Sequence, residues 1–124
     1  MTDKNANKSN DIGIEKFSIQ KIHRHELKEA VYNPRTINPS AYKKLKDNLG
    51  AVGLLEPIIW NKRTGNILSG HQRLKAMDSL RHTKDYEVTV SVVDLDEKTE
   101  KEQNVFLNNP YAQGEFDIGG LKDL

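Results

Sequence analysis

The feature that most constrains the fold is an apolar stretch that turns at a glycine into a basic helix start, Ile67-Leu68-Ser69-Gly70-His71-Gln72-Arg73. The first backbone N–H groups of a helix have no partner within the helix and lie at the positive end of its dipole. Gly70 has no side chain to block an anion, and Arg73 can donate to two phosphate oxygens. The sequence therefore predicts a phosphate-binding junction, with a plain tight turn and a solvated arginine as the alternative.

A second polar loop lies upstream, at Tyr32-Asn33-Pro34-Arg35. The residue before a proline is kept out of the helical region, and Asn accepts turn geometry readily, so Asn33 and Pro34 predict a turn. A plain surface turn explains these two residues but gives the guanidinium of Arg35 no role. We expect Arg35 and Arg73 to approach the same phosphate group from distant parts of the chain.

Hydrophobic periodicity predicts alternating strands and helices around these two loops. Asn38 and Pro39 form a helix cap and first position, and Gly50 or Gly53 ends that helix. The predicted strands comprise residues 17–22, 57–61, 67–68 and 87–93. The predicted helices begin at residues 39, 71 and 97, with inward-facing Leu45, Leu49 and Val52 in the first and Leu74, Met77 and Leu80 or Arg81 in the second.

The composition limits the classes to which the chain can belong. Its 124 residues are 35% hydrophobic and 30% charged, which suits one domain with a modest core. No apolar run approaches the roughly 20 residues needed to cross a bilayer, and residues 1–10 lack the apolar centre of a signal peptide, so we expect a cytoplasmic protein. The absence of cysteine excludes disulfides and thiolate metal sites.

The formal net charge of +1 gives the molecule as a whole little attraction for nucleic acid. Any DNA contact must therefore come from a local basic cluster. The candidates are Lys43, Lys44 and Lys46 on the first predicted helix, and Lys62 with Arg63 in a turn. Such clusters are more often solvated faces.

Three blocks in a fixed order resemble a known family: Asn33-Pro34-Arg35, Gly53-Leu54-Leu55-Glu56-Pro57-Ile58-Ile59 and Gly70-His71-Gln72-Arg73. With them the chain resembles the ParB/sulfiredoxin superfamily from about Phe17 to Asp117. Within it, the chain looks most like the ParB-like N-terminal domain (ParB-like nuclease domain) of phages and mobile elements. The resemblance implies an α+β fold, with a small mixed β-sheet flanked by helices. We further expect a disordered N-terminal lead at 1–14 and a ParB-like domain at 15–118, with either the start of a further helix or the end of an excised piece at 119–124.

The resemblance implies a domain that binds a nucleoside triphosphate, ATP or CTP, with Mg²⁺, and acts in the partition, processing or modification of phage or plasmid DNA. Partition proteins of the family carry Gly-Glu-Arg-Arg at the junction, so His71-Gln72-Arg73 leaves the identity of the nucleotide open. The implied partners are nucleotide, DNA, a second copy of the chain, and a DNA methyltransferase or another DNA-processing protein, with no membrane. The implied phosphate-binding residues are Asn33, Arg35, Ser69, Gly70, His71, Gln72, Arg73, Asn108 and Asn109, although the two asparagines equally fit a helix C-cap.

Enzymes of the same superfamily provide alternatives. Sulfiredoxin chemistry is excluded, because its covalent intermediate needs a cysteine. A serine kinase branch has an early acidic residue and a Gly-His-His-Arg junction, which implies Glu26 and His71 as a catalytic pair, with Gln72 in place of the second histidine. An NTPase is a further alternative. A DNA nuclease ranks lower, since no clustered set of Asp and Glu suits a two-metal site. A nucleotide-free interaction module is the remaining hypothesis.

No metal site is predicted from the histidines. His23 and His25 are two residues apart and could face the same side of a strand, but no third ligand is evident. The resemblance places Glu56, Glu115 and Asp117 as the acids nearest the proposed site. A magnesium ion there would arrive with its nucleotide, because Mg²⁺ prefers phosphate oxygens and water beside a few carboxylates.

Overall fold

A computed structural model describes residues 13–32 and 36–108. In this part of the chain, four strands form one sheet, accompanied by three α-helices and a short 3-10 helix at Arg24–Glu26. The strands are β1 (Ser18–His23), β2 (Ile58–Asn61), β3 (Ile67–Ser69) and β4 (Glu87–Val93). The α-helices are α1 (Pro39–Val52), α2 (His71–Arg81) and α3 (Glu97–Asn108). The fold is a small mixed α+β fold, as predicted.

The sheet has the order β1-β4-β2-β3, so the last strand of the described chain lies in its interior. β4 pairs antiparallel with β1 and parallel with β2, whereas β2 and β3 form an antiparallel hairpin. The parallel pair requires a crossover, and the connection from β2 to β4 runs through β3 and α2. The end of β3 and the start of α2 are therefore adjacent in both sequence and space.

The core lies between the sheet and α2. Val88, Val90 and Val92 alternate along β4 and are each at most 4% exposed, so they point to one face of the sheet. They join a buried cluster with residues from β2, β3, α2 and the segment after the 3-10 helix, namely Leu27, Ile58, Trp60, Ile67 and Leu74. The Trp60 indole satisfies its N–H by donating to the Gly65 carbonyl, 2.9 Å away. The hairpin is thereby fixed to the core at its turn.

The predicted helix signals agree with the structure at the start of α1. The side chain of Asn38 accepts a hydrogen bond from the Ala41 amide at 2.7 Å, and Pro39 occupies the first turn. Gly53, with a φ of +86°, ends the helix, while Gly50 lies inside it. The predicted strand and helix bounds agree with the observed ones to within about one residue, because glycine, proline and cap residues mark most of the ends.

Some predicted inward positions are wrong. Val52 and Leu80 are 54% and 40% exposed, because α1 packs on α2 and only Leu49 of α1 is buried. Leu80 faces α1, where a Cβ at Gly50 would lie 3.5 Å from its Cδ2 atom. β1 was predicted as half-buried, but Ser18 to Lys21 are exposed, since β1 is an edge strand.

The predicted domain limits lie mostly outside the described residues, which exclude 1–12, 33–35 and 109–124. They stay predictions. Within residues 13–32 and 36–108, none of the helices combines the length and the apolar character needed to cross a membrane.

Candidate functional site

A cavity opens at the junction between β3 and α2. Its volume is about 160 Å³, below the roughly 300 Å³ at which ordinary ligand pockets begin. It therefore suits a group the size of a phosphate rather than a whole nucleotide. Its walls combine β3, the α2 start, the segment after the 3-10 helix and the end of α3: Glu29, Ala30, Ile67, Leu68, Ser69, Gly70, His71, Gln72, Arg73, Asn104 and Asn108.

Gly70 precedes the first residue of α2 and has φ +103° and ψ +14°. An L-residue is strained in this region, and the space for a side chain is also occupied. A Cβ at Gly70 would lie 2.6 Å from Ile58 Cδ1 and 2.8 Å from Arg73 Nη2. As a glycine, it supplies no side-chain cap to the first turn of α2. The predicted glycine junction is therefore present.

His71 is the first residue of α2 and forms one wall of the cavity. Its Nε2 atom lies 3.2 Å from Oε2 of Glu29, and its side chain is 17% exposed. Burial lowers the pKa of His71, although the nearby carboxylate of Glu29 opposes this shift. Burial therefore favours the neutral imidazole, in which a proton on Nε2 would face the Glu29 carboxylate. The Nδ1 atom is buried and has no hydrogen-bond partner among the described residues.

The carboxylate beside His71 is Glu29, whereas the sequence pointed to Glu26. Glu26 ends the 3-10 helix with its side chain 58% exposed, and it lies 3.6 Å from His25. The backbone of Lys28 explains the position of Glu29: its N–H donates to Gly65 O at 2.9 Å, and its C=O accepts from the Ile67 amide at 2.8 Å. This short parallel bridge along β3 brings the next two residues to the cavity. It depends on long-range pairing, which the sequence could not reveal.

Arg73 contacts the backbone as well as the cavity. Its Nη1 donates to the carbonyl oxygen of Glu56, in the loop before β2. Burial lowers the pKa of Arg73, but a guanidinium stays charged at any physiological pH. Because the group has five N–H donors and one faces Glu56, it retains donors for an anion. Arg73 thus connects the sequence block 53–59 to the junction between β3 and α2.

Asn104 and Asn108 bring the end of α3 to the cavity. They are four residues apart and so share one helix face. Nδ2 of Asn108 donates to Leu68 O and to Asn104 O, both at 2.7 Å. Both amide donors of Asn108 are therefore used, and its Oδ1 is the group left for a ligand. Asn104, 4% exposed, was missed in the sequence; its spacing from Asn108 was the available signal.

A buried carboxylate fixes α3 to the rest of the molecule. Glu100 is 1% exposed and accepts hydrogen bonds from four side chains. Burial tends to raise the pKa of Glu100, but the hydrogen bonds outweigh burial and the pKa is lowered. Glu100 was not identifiable as such a group from the sequence, because its donors lie 34 to 68 residues away. They are Asn61 Nδ2 at 2.7 Å, Asn66 Nδ2 at 2.9 Å, Tyr32 Oη at 2.7 Å and Thr64 Oγ1.

A wider groove of about 610 Å³ adjoins the cavity and shares Glu29, Ile67 and His71 with it. Its floor contains an ion pair in which both Arg24 Nε and Nη2 donate to Asp78 at 2.8 Å. Tyr86 Oη also donates to Asp78, at 2.7 Å. Burial tends to raise the pKa of Asp78, but its hydrogen bonds from Arg24 and Tyr86 lower the pKa overall.

Other predicted residues lie apart from the cavity or outside the described residues. Asn33, Arg35, Asn109, Glu115 and Asp117 belong to the second group, so the expected approach of Arg35 to Arg73 stays a prediction. On α1, Lys43 pairs with Asp47 at 2.8 Å, Lys44 is exposed and Lys46 is partly exposed. Residues 13–32 and 36–108 contain no group of three or more His, Asp or Glu side chains that could hold a metal ion. His23 instead contacts Asp85, with 2.9 Å between Nε2 and Oδ1.

Comparison with protein-family models and with curated proteins finds no match. Solved structures do match. One is the C-terminally truncated chromosome-partitioning protein ParB from Caulobacter crescentus, complexed with CTP-γ-S, at a TM-score of 0.61 and 21% identity over 74% of this chain and 53% of that chain. This chain has a ParB-like fold. A Pnob8-like ParB-N domain also matches, at a TM-score of 0.55 and 21% identity over 73% of this chain and 35% of that chain. The chain thus spans about half of the first ParB-like structure and about a third of the second.

Proposed function

We propose that this chain is a ParB-like nucleotide-binding domain whose cavity takes the phosphates of a nucleoside triphosphate, CTP or ATP. One observation carries the proposal: a glycine helix start with φ +103° stands beside a buried imidazole nitrogen that has no partner among the described residues. A buried polar atom without a partner is uncommon and needs an explanation. A phosphate oxygen at the helix start provides one when the imidazole takes up a proton at Nδ1 on binding, and the positive end of α2 also points to that phosphate.

The size of the cavity and the similarity to ParB support the choice of ligand. A cavity of about 160 Å³ would hold phosphate groups and would leave the sugar and base outside it. Because the matched Caulobacter ParB is complexed with CTP-γ-S, CTP is the first nucleotide to test. ATP stands beside it, since His71 and Gln72 occupy the junction here.

The residues present also fit an Mg²⁺ ion that arrives with the nucleotide. Oδ1 of Asn108 is an acceptor, because its amide donors are used on two carbonyls. Such an oxygen repels a phosphate oxygen but suits a cation or its bound water. When bound, Mg²⁺ would neutralise phosphate charge. We assign Asn108 to the cation side of the ligand, and His71 with Arg73 to the phosphate side.

Isothermal titration tests the proposal with CTP, ATP, GTP and inorganic tripolyphosphate, each with and without Mg²⁺. Binding should weaken at least tenfold in Arg73→Gln, because a charge-assisted contact to phosphate is lost. Arg63→Gln is the matched control, since Arg63 is 53% exposed and pairs with Asp94 away from the cavity. If no nucleotide and no tripolyphosphate binds to the wild-type chain, the nucleotide proposal is wrong and the interaction module replaces it.

A second candidate is an NTPase or small-molecule kinase, favoured by the 3.2 Å pair of His71 and Glu29. A histidine held by a carboxylate in this way can accept a proton from an attacking hydroxyl or water. Phosphate release or transfer should then be lost in Glu29→Gln and retained in Glu26→Gln, whose carboxylate lies in solvent. Equal activity in the two variants would remove this candidate.

We also propose that the domain acts in phage or plasmid DNA processing, with DNA and DNA-processing proteins, including a methyltransferase, as partners. The ParB-like fold supports a partition-related role. If α1 contacts the DNA backbone, replacing Lys43, Lys44 and Lys46 by Gln should weaken DNA binding and reduce its salt dependence. Electrophoretic shift at several salt concentrations measures both, and an unchanged salt slope would exclude these lysines.

A further inference from the structure

The cavity has two walls that come from separate parts of the chain. One wall is the segment Glu29–Tyr32, in which Glu29 and Ala30 line the cavity and Val31 points to solvent with 90% exposure. The other wall is α3, which contributes Asn104 and Asn108. Their separation sets the width available to a phosphate group.

Each wall is anchored to the β2–β3 hairpin on its own. The first wall begins at Lys28, whose backbone hydrogen bonds to Gly65 and Ile67 are 2.9 and 2.8 Å long. The α3 wall is held at Glu100 by side chains of Asn61, Thr64 and Asn66, and at Asn108 by Leu68 O. These contacts fix one end of the first wall and both ends of the second.

The far end of the first wall meets α3 through Tyr32. Its hydroxyl donates to Oε2 of Glu100 at 2.7 Å, and its ring lies below Lys101, with 5.3 Å between Nζ and the ring centroid. Glu100, Asn104 and Asn108 follow one another at intervals of four residues, so Tyr32 binds to the same face of α3 that lines the cavity. This hydrogen bond joins the two walls directly.

We propose that Tyr32 is a positioning residue for the phosphate cavity, acting through its hydrogen bond to Glu100. The inference depends on the proposed function, since it concerns the same ligand. By fixing Glu29 and Ala30 against α3, Tyr32 sets the distance between the His71–Glu29 pair and Asn108. A hydrogen bond to a buried carboxylate has the strength and direction for this role.

The contacts of Tyr32 allow a role in positioning the cavity walls to be distinguished from a role in folding. Tyr32 is 36% exposed, and it lies outside the buried core cluster. In Tyr32→Phe the ring and its contact with Lys101 remain, and Glu100 keeps its three hairpin donors. We therefore expect the variant to fold, with a modest decrease in melting temperature from the lost hydrogen bond.

The test measures the affinity for Mg-CTP and Mg-ATP in the full chain. Tyr32→Phe should bind about tenfold more weakly than the wild type, because the ligand must then order a wall that Tyr32 holds in place in the free protein. Tyr42→Phe is the matched control, because it removes the same oxygen from a half-buried tyrosine of α1 that does not line the cavity. In the double variant Tyr32→Phe, Glu100→Gln, the two losses should be less than additive.

NMR titration of the histidine side chains adds a measurement that a purely structural role of Tyr32 would leave unchanged. Because Tyr32 positions Glu29 beside His71, Tyr32→Phe should shift the His71 titration midpoint, whereas Tyr42→Phe should leave it unchanged. A His71→Gln sample assigns the resonance. If the wild type binds and Tyr32→Phe binds within twofold of it, or the midpoint stays fixed, the inference is overturned and the proposed function stands. If the wild type binds nothing, both are overturned.

Discussion

Replacing Gly70 by alanine should destabilise the protein more than replacing any comparable turn glycine. At φ +103° an L-residue costs about 1 to 3 kcal/mol in backbone strain. The new Cβ would also lie 2.6 Å from Ile58 Cδ1, about 1 Å inside the favourable carbon–carbon distance. Ile58 is fully buried, so its displacement adds about 1 to 3 kcal/mol. We expect a total loss of about 2 to 6 kcal/mol in the free energy of unfolding.

Gly65→Ala is the matched control for the backbone contribution. Gly65 also has a positive φ, of +84°, but a Cβ there would meet only the flexible end of Lys28, at 3.4 Å or more. Urea denaturation followed by circular dichroism gives both values. The difference between Gly70→Ala and Gly65→Ala then reports the collision alone, and should be about 1 to 3 kcal/mol.

A double variant identifies the colliding atom. Ile58→Val removes Cδ1 and by itself costs about 0.5 to 1.5 kcal/mol. Combined with Gly70→Ala, it should recover part of the loss, so the two effects should be non-additive. If Gly70→Ala is no worse than Gly65→Ala, or if Ile58→Val adds its full cost in the double variant, the close approach at the junction is refuted.

Three further outcomes are expected. Asp78→Asn should lower the free energy of unfolding by about 3 to 5 kcal/mol at pH 7, because Arg24 would stay buried without its counter-charge. The folded-state pKa of Asp78 is lowered, so its stabilisation is present above about pH 4 and is lost as pH falls through that pKa; urea denaturation should show the gap to wild type narrowing as pH falls below about 4. Phosphate binding should take up a proton at His71, whose pKa burial lowers in the free protein. Affinity should therefore fall as pH rises from about 6 to 8, and titration heats should depend on the ionisation enthalpy of the buffer; buffer-independent heats would contradict this. Leu74→Ala should cost about 2 to 5 kcal/mol and Leu80→Ala much less, since the two side chains are 0% and 40% exposed; equal losses in urea denaturation would contradict the packing of α2.

The fold was predictable where local signals decide the conformation. Asn38 and Pro39 fix the start of α1, and the β-branched run at 87–93 specifies β4, because cap chemistry and side-chain branching act within a few residues. Exposure was harder to predict. Val52 has the spacing of a core residue but is exposed, because the hydrophobic spacing within α1 does not specify which surface the helix packs against.

The candidate site divides in the same way. Ser69, Gly70, His71, Gln72 and Arg73 were predictable, because they are consecutive and their chemistry is local. The partner of His71 was not, since a bridge between Lys28 and Asn66 places Glu29, rather than Glu26, beside the imidazole. Asn108 was identified, but its orientation follows from the carbonyl of Leu68 across the cavity.

The sequence alone determined the element bounds and a glycine turn into a basic helix, since these depend on interactions among near neighbours, and its resemblance to a known family implied the α+β fold. Only the tertiary structure decided which groups meet there. Glu100 collects donors from Tyr32 and the hairpin at separations of 34 to 68 residues, and a buried carboxylate is stable only when such donors converge on it. These donors converge only in the folded chain, because the residues next to each of them in the sequence do not specify its distant partner.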